Sequence, residues 1–324
     1  MTESAAIILA AGKSTRMKGD LPKVLHEVCG RPMLAFVLEA CRLAGVERLL
    51  VIVGHGQELV RRRFEADADL VWIEQPEQHG TGHAVMCGRA ALNGFEGSVL
   101  VIAGDMPLVR RVTLAQLLEI RERNDDALTL ATAELPDPAG YGRIVRDAHR
   151  QLLAIVEDRD CTEEQRAIRE VNPSYYCFHA PRLFDALEAT KANHRTGEYY
   201  LTDVVQVLRS RKQPVTAFVR LPAQDALGIN SRLDLAVVGR AMQDRIQLAL
   251  MNDGVTIVDP DNTWIEAGAV IGADTVVYPF SFIGAGATLG EGCRVGPFAR
   301  IASGEYVSDH AVVGPTDGVL GASA

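Results

Sequence analysis

Nine aliphatic residues in the last quarter of this chain stand six residues apart without a miss: Ile265, Ile271, Val277, Ile283, Leu289, Val295, Ile301, Val307 and Val313. A helical face repeats every 3.6 residues and drifts off such a period. Small residues follow many of the nine, among them Gly272, Gly284, Gly290, Gly296 and Gly314. A hexapeptide repeat of this kind predicts a parallel β-helix. Each aliphatic side chain is expected to point inward and stack on its equivalent one coil on, and each small residue permits a tight corner. With three hexads to a triangular coil, nine hexads give about three coils. So short a stack buries little on its own. It is expected to lean on the preceding domain or on copies of itself. Residues 314–324 are small and polar, and fraying is expected there.

The region before the repeat has a different rhythm. Apolar runs at 5–10, 49–53, 70–73, 99–103, 127–132 and 215–219 alternate with helical patterns such as 33–44 and 82–92. That alternation predicts an α/β domain with a mostly parallel sheet. In such sheets ligands sit beyond the carboxyl ends of the strands. Residues 231–251 read as one helix, with a capping-box-like start at Ser231-x-x-Asp234. The expected domains are 1–230, a linker helix at 231–252, and a β-helix with its tail at 253–324, which the length of 324 residues accommodates.

The first strand candidate ends in a turn suited to phosphate. Ile7-Ile8-Leu9-Ala10-Ala11 runs into Gly12-Lys13-Ser14-Thr15-Arg16-Met17, and Leu21-Pro22-Lys23 follows. Exposed N–H groups at a turn hold phosphate oxygens, and Arg and Lys neutralise the remaining charge. The spacing is neither the P-loop nor the dinucleotide-binding glycine pattern. A net charge of −9 argues against a general binder of nucleic acid or anionic membrane, but leaves room for a local basic pocket. Six cysteines (Cys29, Cys41, Cys87, Cys161, Cys177, Cys293) form no CxxC pair and read as buried small residues in a reducing compartment. The start, Met1-Thr2-Glu3-Ser4, is acidic, so the short apolar run after it reads as a buried strand and not a signal peptide. No apolar run approaches the roughly 18 residues of a membrane span. A cytoplasmic protein is expected.

Other segments carry chemistry. Val99–Ala103 leads into Gly104-Asp105, which places a carboxylate at a strand end, a natural ligand for magnesium or a cap for the next helix. Asn230, in Gly228-Ile229-Asn230-Ser231-Arg232, is the candidate second ligand or a turn residue. In Gln75-x-x-x-x-Gly80-Thr81-Gly82-His83, the glutamine amide matches a uracil edge, and the glycines let backbone approach a base or ribose. His79 and His83 lie four apart, but two neighbouring glycines and the lack of a third ligand argue against zinc. Three further segments suit a sugar pocket: Gly140-Tyr141-Gly142-Arg143, Ile155-Val156-Glu157-Asp158, and Gly197-Glu198-Tyr199-Tyr200-Leu201-Thr202-Asp203. Surface turns and salt-bridged acids are the plainer alternative for each.

The N-terminal motif resembles the LxxGxGTRM signature, with its downstream Pro-Lys, of the sugar-nucleotide nucleotidylyltransferases. Taken in order, the motifs between residues 5 and 235 are similar to bacterial N-acetylglucosamine-1-phosphate uridylyltransferases, in the form that also carries an acetyltransferase domain. The resemblance implies a Rossmann-like nucleotidylyltransferase domain followed by a left-handed β-helix. It implies UTP and N-acetylglucosamine 1-phosphate as substrates, Mg2+ as cofactor, and a homotrimer through the β-helix. It also implies roles. Leu9, Ala10, Ala11 and Gly12, with Arg16 and Lys23 as catalytic cations, hold the triphosphate and sugar phosphate. Gln75, Gly80 and Thr81 read uracil. Asp105 and Asn230 hold the metal. Gly142, Glu157, Asn172, Tyr199 and Thr202 contact the sugar.

Three departures from that pattern stand out. Ser14 takes the place of the second glycine of GxG. Asn172 is followed by Pro173-Ser174, where the family usually has Asn-Thr-Gly. The β-helix is short, His310 is its one histidine, and nothing around that residue matches the family's acetyltransferase site, so no acetyl transfer is expected. The expected reaction is in-line attack of a sugar-phosphate oxygen on the α-phosphorus of UTP, with pyrophosphate leaving. Because the nucleophile is already an anion, no general base is required. The alternatives are another sugar 1-phosphate such as glucose 1-phosphate, dTTP as donor, a hexapeptide acyltransferase, or a non-catalytic regulatory paralogue.

Overall fold

The computed structural model describes residues 3–13, 15–193 and 196–315. Ser14 and most of the expected frayed tail lie outside the described residues. The chain divides into two compact units. One takes in the residues up to His26 together with Met33–Asp234. The other takes in Glu27–Pro32 and the residues from Leu235 on.

The first unit is built on a ten-stranded sheet. Its strands are β1 (Ser4–Ala10), β2 (Arg48–Val53), β3 (Leu70–Glu74), β4 (Ser98–Ala103), β5 (Leu128–Glu134), β6 (Gly142–Arg146), β7 (Leu152–Val156), β8 (Glu170–Asn172), β9 (Tyr175–His179) and β10 (Val215–Leu221). Their order across the sheet is β3-β2-β1-β4-β9-β5-β8-β6-β7, with β10 also on β5. The strands β3, β2, β1 and β4 run parallel, as the alternation predicted, and β10 is parallel to β5. The strands β6 to β9 pair antiparallel, which makes the sheet mixed. Those four are the strands that apolar pattern alone did not reveal. In β6 and β8, ion pairs interrupt the pattern: Arg143 pairs with Asp158 at 2.8 Å, and Arg146 with Glu170 at 2.6 Å.

The helices are α1 (Met33–Leu43), α2 (Gln57–Arg63), α3 (Thr81–Cys87), α4 (Arg111–Asn124), α5 (Glu163–Arg166), α6 (Ala180–Ala189), α7 (Val204–Ser210) and α8 (Arg232–Asn252). Within the first unit, α1 and α4 cover one face of the sheet and α3, α6 and α7 the other. In β1, Ala6 and Ile8 face a core shared with α1 and α4, whereas Ala5 and Ile7 face one shared with α3, α6 and α7. This is why the central strands read as unbroken apolar runs. The helix expected over 82–92 stops at Cys87, and Arg89–Leu92 forms a separate tight turn. Gly88 breaks it, lying close against Ile7 and Ile52, where glycine is a weak helix former. The predicted capping box at the start of α8 is present: Asp234 N–H donates to Ser231 Oγ at 3.2 Å, and Ser231 N–H donates back to Asp234 Oδ2 at 2.8 Å.

The second unit contains a parallel β-helix. From Trp264 on, two-residue strands pair parallel at a separation of 18 residues, for example Ile265 with Ile283 and Ile283 with Ile301. Three such ladders form the three sides, a pattern consistent with the left-handed hexapeptide helix. Eight of the nine hexad residues, Ile265 to Val307, are buried at 0–8% exposure, and Val313 is half-buried. The stack holds one member the period missed. Ile257 pairs with Val277, but the helical turn Pro260–Asn262 sets it eight residues ahead of Ile265. All six cysteines are unpaired. Five are buried and Cys87 is half-buried.

Ile283 lies fully buried between Ile265 and Ile301. Ile283→Ala is expected to lower the stability of the β-helix by about 2–5 kcal/mol. Urea unfolding followed by circular dichroism measures this, and a loss under about 1 kcal/mol would show that the stack closes over the gap.

Candidate active site

The carboxyl ends of the four parallel strands meet at one edge. β1 runs out into Ala11-Gly12, β3 into Gln75, and β4 into Gly104-Asp105. Backbone bonds fix these exits together: Gln75 N–H donates to Val53 O at 2.8 Å, and Gly104 N–H to Leu9 O at 2.9 Å. Beyond them lies a cavity of about 520 Å3. Leu9, Ala10, Ala11, Gly12, Lys23, Gln75, Gly80, Thr81, Asp105, Glu157 and Thr202 line it, all of them site residues expected from the sequence. A Cβ at Gly12 would meet no protein atom within 4 Å. The turn is therefore open on the side where a phosphate would approach.

Cations gather at this turn. The Lys23 ammonium forms an ion pair with Asp105 and donates to Asn230 Oδ1 at 3.0 Å. Arg16 Nη2 donates to the same oxygen at 2.9 Å. Asn230 is held in turn: its N–H donates to Asp234 Oδ2 at 2.9 Å, and the neighbouring Ile229 N–H donates to Asp105 O at 3.1 Å. Arg16 and Asn230 are not part of the cavity wall, but both reach it through Lys23. Asp105 and Asn230, far apart in sequence, thus present two hard oxygens to one positive charge. That donor set fits a magnesium ion, which takes few protein ligands and completes its shell with water and substrate phosphate. His79 Nε2 lies 2.7 Å from Glu77 Oε2, and His83 Nδ1 lies 3.0 Å from Gln75 Nε2.

At the second end of the cavity, Gln75 is nearly buried at 4% exposure. Its Nε2 donates to Gly80 O at 3.1 Å and lies 3.0 Å from His83 Nδ1. Gly80 has φ +95°, and a Cβ there would lie 2.5 Å from Tyr199 O, so only glycine fits. Thr81 Oγ1 accepts the Leu201 N–H at 3.0 Å, so this hydroxyl ties two loops together.

Away from Gln75 the cavity holds Glu157, whose Oε1 accepts the Thr202 hydroxyl at 3.0 Å. Burial pushes the Glu157 carboxyl above the usual range, against the opposing pull of that hydrogen bond. The sequence expected Asn172, Gly142 and Tyr199 here, and none of them lines the cavity. Asn172 is buried, with its Nδ2 donating to Tyr176 Oη at 2.6 Å and its Oδ1 accepting Ser174 N–H at 3.2 Å. Gly142 lies in β6 opposite Asn172 in the ladder. Tyr199 serves through its backbone, its N–H donating to His79 O and its O accepting Gly82 N–H, each at 2.8 Å. The residues that line the wall here are Ser174, whose backbone N–H donates to Asn172 Oδ1, and Tyr176, whose Oη accepts from Asn172 Nδ2, together with Arg159, Glu198 and Tyr200. Ser174 holds φ +65°, the left-handed conformation natural to glycine. Lys13 and Gln78 also line the cavity. Lys13 and Arg159 stand one and two residues from expected site residues, and Tyr200 lies within the segment singled out for sugars, so proximity in sequence was the signal for them.

Because burial raises the Glu157 carboxyl, its ionisation opposes folding. Stability from this group is full below the ordinary carboxylate range and is lost as pH rises through the raised value. Glu157→Gln is therefore expected to raise the melting temperature at pH 8 and to have no such effect at pH 4. Thermal scans at the two pH values check this, and an equal shift at both would show that the carboxylate is not destabilising.

Residues 6–196 match the MobA-like NTP transferase domain, and residues 268–303 match the bacterial transferase hexapeptide (six repeats). The protein called bifunctional protein GlmU in Geobacter metallireducens is 46% identical over 279 residues, which cover 86% of this chain and 59% of that protein. The protein of the same name in Heliobacterium modesticaldum is 45% identical over 283 residues, 87% of this chain and 61% of that one. This chain thus spans about three fifths of the length of these relatives. Among solved structures, UDP-glucose pyrophosphorylase complexed with UDP-glucose shares the fold at a TM-score of 0.60 and 18% identity, covering 76% of this chain and all of that one. The match over residues 6–196 takes in most of the sheet and of the cavity wall, and by it the chain belongs to the family of MobA-like NTP transferase domains.

Proposed function

We propose that the chain transfers UMP from UTP to N-acetylglucosamine 1-phosphate, giving UDP-N-acetylglucosamine and pyrophosphate. The observation that carries this reading is the meeting of Lys23, Arg16, Asp105 and Asn230 beside one cavity, with Gln75 at one end and Glu157 at the other. The relatives called GlmU and the structural neighbour seated on UDP-glucose support it.

In this reading the Ala10-Ala11-Gly12 turn receives the triphosphate, and Gln75, Gly80 and Thr81 surround the uracil. Glu157 and Thr202 face the sugar hydroxyls. A phosphate oxygen of the sugar phosphate attacks the α-phosphorus of UTP in line, the new P–O bond forms as the bond to the β-phosphate oxygen breaks, and pyrophosphate departs. Lys23 and Arg16 neutralise the two polyanions, which would otherwise repel each other, and hold them in line. Asp105 and Asn230 would hold Mg2+, which when bound stabilises charge on the phosphate oxygens. Once the phosphates arrive, Lys23 exchanges Asp105 for the substrate.

One observation favours a second reading. The Asn172 amide, which the resemblance assigns to the sugar, is engaged by Ser174 and Tyr176. A sugar without an acetamido group, such as glucose 1-phosphate, would not need it. Pyrophosphate release from UTP or dTTP with each sugar phosphate separates the two. Release with N-acetylglucosamine 1-phosphate and UTP supports the first reading, and release only with glucose 1-phosphate supports the second. Silence from folded protein with every pair would overturn both.

Lys23→Ala is expected to lower kcat about 10²–10³-fold, the usual effect of removing one group that stabilises transition-state charge. Circular dichroism should be unchanged, and an unaltered kcat would remove Lys23 from the mechanism. EDTA should abolish turnover, and added Mg2+ should restore it.

We place this reaction in the cytoplasm, a reading supported by six unpaired cysteines. No helix among the described residues is long and apolar enough to cross a membrane. We also read the β-helix as trimer-forming, because its sides expose Val270, Tyr306, Val312 and the stacked rings of Phe280 and Phe298. Light scattering on the eluting protein should give three times the monomer mass.

A further inference from the structure

We infer that His83 is a positioning residue that fixes which face of the Gln75 amide meets the base, and so sets the preference for uracil over cytosine. The inference rests on the reading of Gln75 as the residue facing the base.

An amide side chain can present either its oxygen or its NH2 to a ligand, and the surrounding hydrogen bonds decide which. Gly80 O can only accept. The end of Gln75 that faces it at 3.1 Å must therefore be Nε2. The same nitrogen lies 3.0 Å from His83 Nδ1. Nε2 has two hydrogens. One goes to Gly80 O and the other to His83 Nδ1, which must then be the unprotonated nitrogen of a neutral imidazole. The imidazole proton sits on Nε2, and that nitrogen points at the Cys87 sulfur 4.0 Å away, one helical turn along α3. Each partner agrees with a single arrangement. With both amide hydrogens engaged, the valence left to Gln75 for a ligand in the cavity is that of Oε1, an acceptor.

An acceptor at this point suits one kind of pyrimidine. Uracil and thymine carry a donor, N3–H, between two carbonyls. Cytosine carries a lone pair at N3, which would face the lone pairs of Oε1. Such a mismatch in a buried site rejects the wrong ligand more strongly than a lost contact would. Without an acceptor at position 83, one Gln75 hydrogen loses its partner and the amide is free to turn. Gly80 O alone then opposes the turn.

Three variants and one spectrum test this in the full chain, with initial rates measured on UTP and CTP. His83→Phe keeps a ring and removes the acceptor. It is expected to raise KM for UTP about tenfold, with kcat within about twofold, and to lower the UTP-to-CTP ratio of kcat/KM about tenfold. His83→Asn places Oδ1 near the position of Nδ1 and is expected to restore the ratio. Gln75→Leu is expected to abolish the preference. A ratio unchanged in Gln75→Leu would overturn the uracil reading and the inference together. A ratio that falls in Gln75→Leu but holds in His83→Phe would overturn the inference alone. The nitrogen-15 spectrum of the unaltered protein reads the tautomer without any substitution. Unprotonated Nδ1 and protonated Nε2 at His83 are expected, and the reverse would overturn the inference.

Discussion

The Lys23 ammonium, paired with the Asp105 carboxylate and the Asn230 carbonyl oxygen, is the interaction on which the site depends. It joins three parts of the chain that no local rule brings together: the turn after β1, the end of β4 and the entrance to α8. Lys23 and Asp105 are largely shielded, at 19% and 17% side-chain exposure, so water screens the pair only in part. An unpaired charge at that depth would be unfavourable. The contact therefore favours those arrangements in which the turn after β1, Asp105, Asn230 and the first turn of α8 are in register. Arg16 adds a second donor to the same Asn230 oxygen, and Arg232 Nε donates to Met17 O at 3.2 Å, closing the circle around the turn.

Much of this was legible in the sequence, because the relevant physics is local or periodic. The unbroken apolar runs of β1, β2 and β4 announced strands covered on both faces, and the six-residue period announced the β-helix. Strand ends then located Gly12 and Asp105 at one edge. What escaped depended on pairing between distant residues. Of the antiparallel strands, β6 carries Arg143 and Arg146 and β8 carries Glu170, charges that count against burial until their partners are known. Ile257 escaped because a short helical turn displaced it from the period. The Asn172 amide bonds to the Ser174 backbone N–H and to Tyr176 Oη, contacts that depend on the local fold and not on any sequence pattern.

The two ends of the cavity differ in how firmly they are built. Around Gln75, hydrogen bonds from Gly80, His83, Thr81 and Tyr199 interlock, and Gly80 tolerates no side chain. Around Glu157, the carboxyl is held at some expense to stability, and Ser174 adopts a backbone conformation that glycine would take more easily. Rigidity at one end suits recognition of a planar base. Local strain at the other marks the place where sequence change would most readily alter what the cavity accepts.

The six residues Glu27–Pro32 have a consequence for how this protein can be recombined. They lie four residues after Lys23 in the sequence, yet they belong to the second unit, where Cys29 O accepts the Ala267 N–H at 2.8 Å and the Cys29 sulfur meets Gln243 Nε2 at 3.2 Å. A Cβ at Gly30 would strike the Glu266 carboxylate. The first unit thus carries a fragment of the second inside its own reading frame. A gene fusion that joined this NTP transferase domain to another β-helix at a single boundary would leave those six residues matched to a partner no longer present. The two units look modular along the chain, but they must be inherited together.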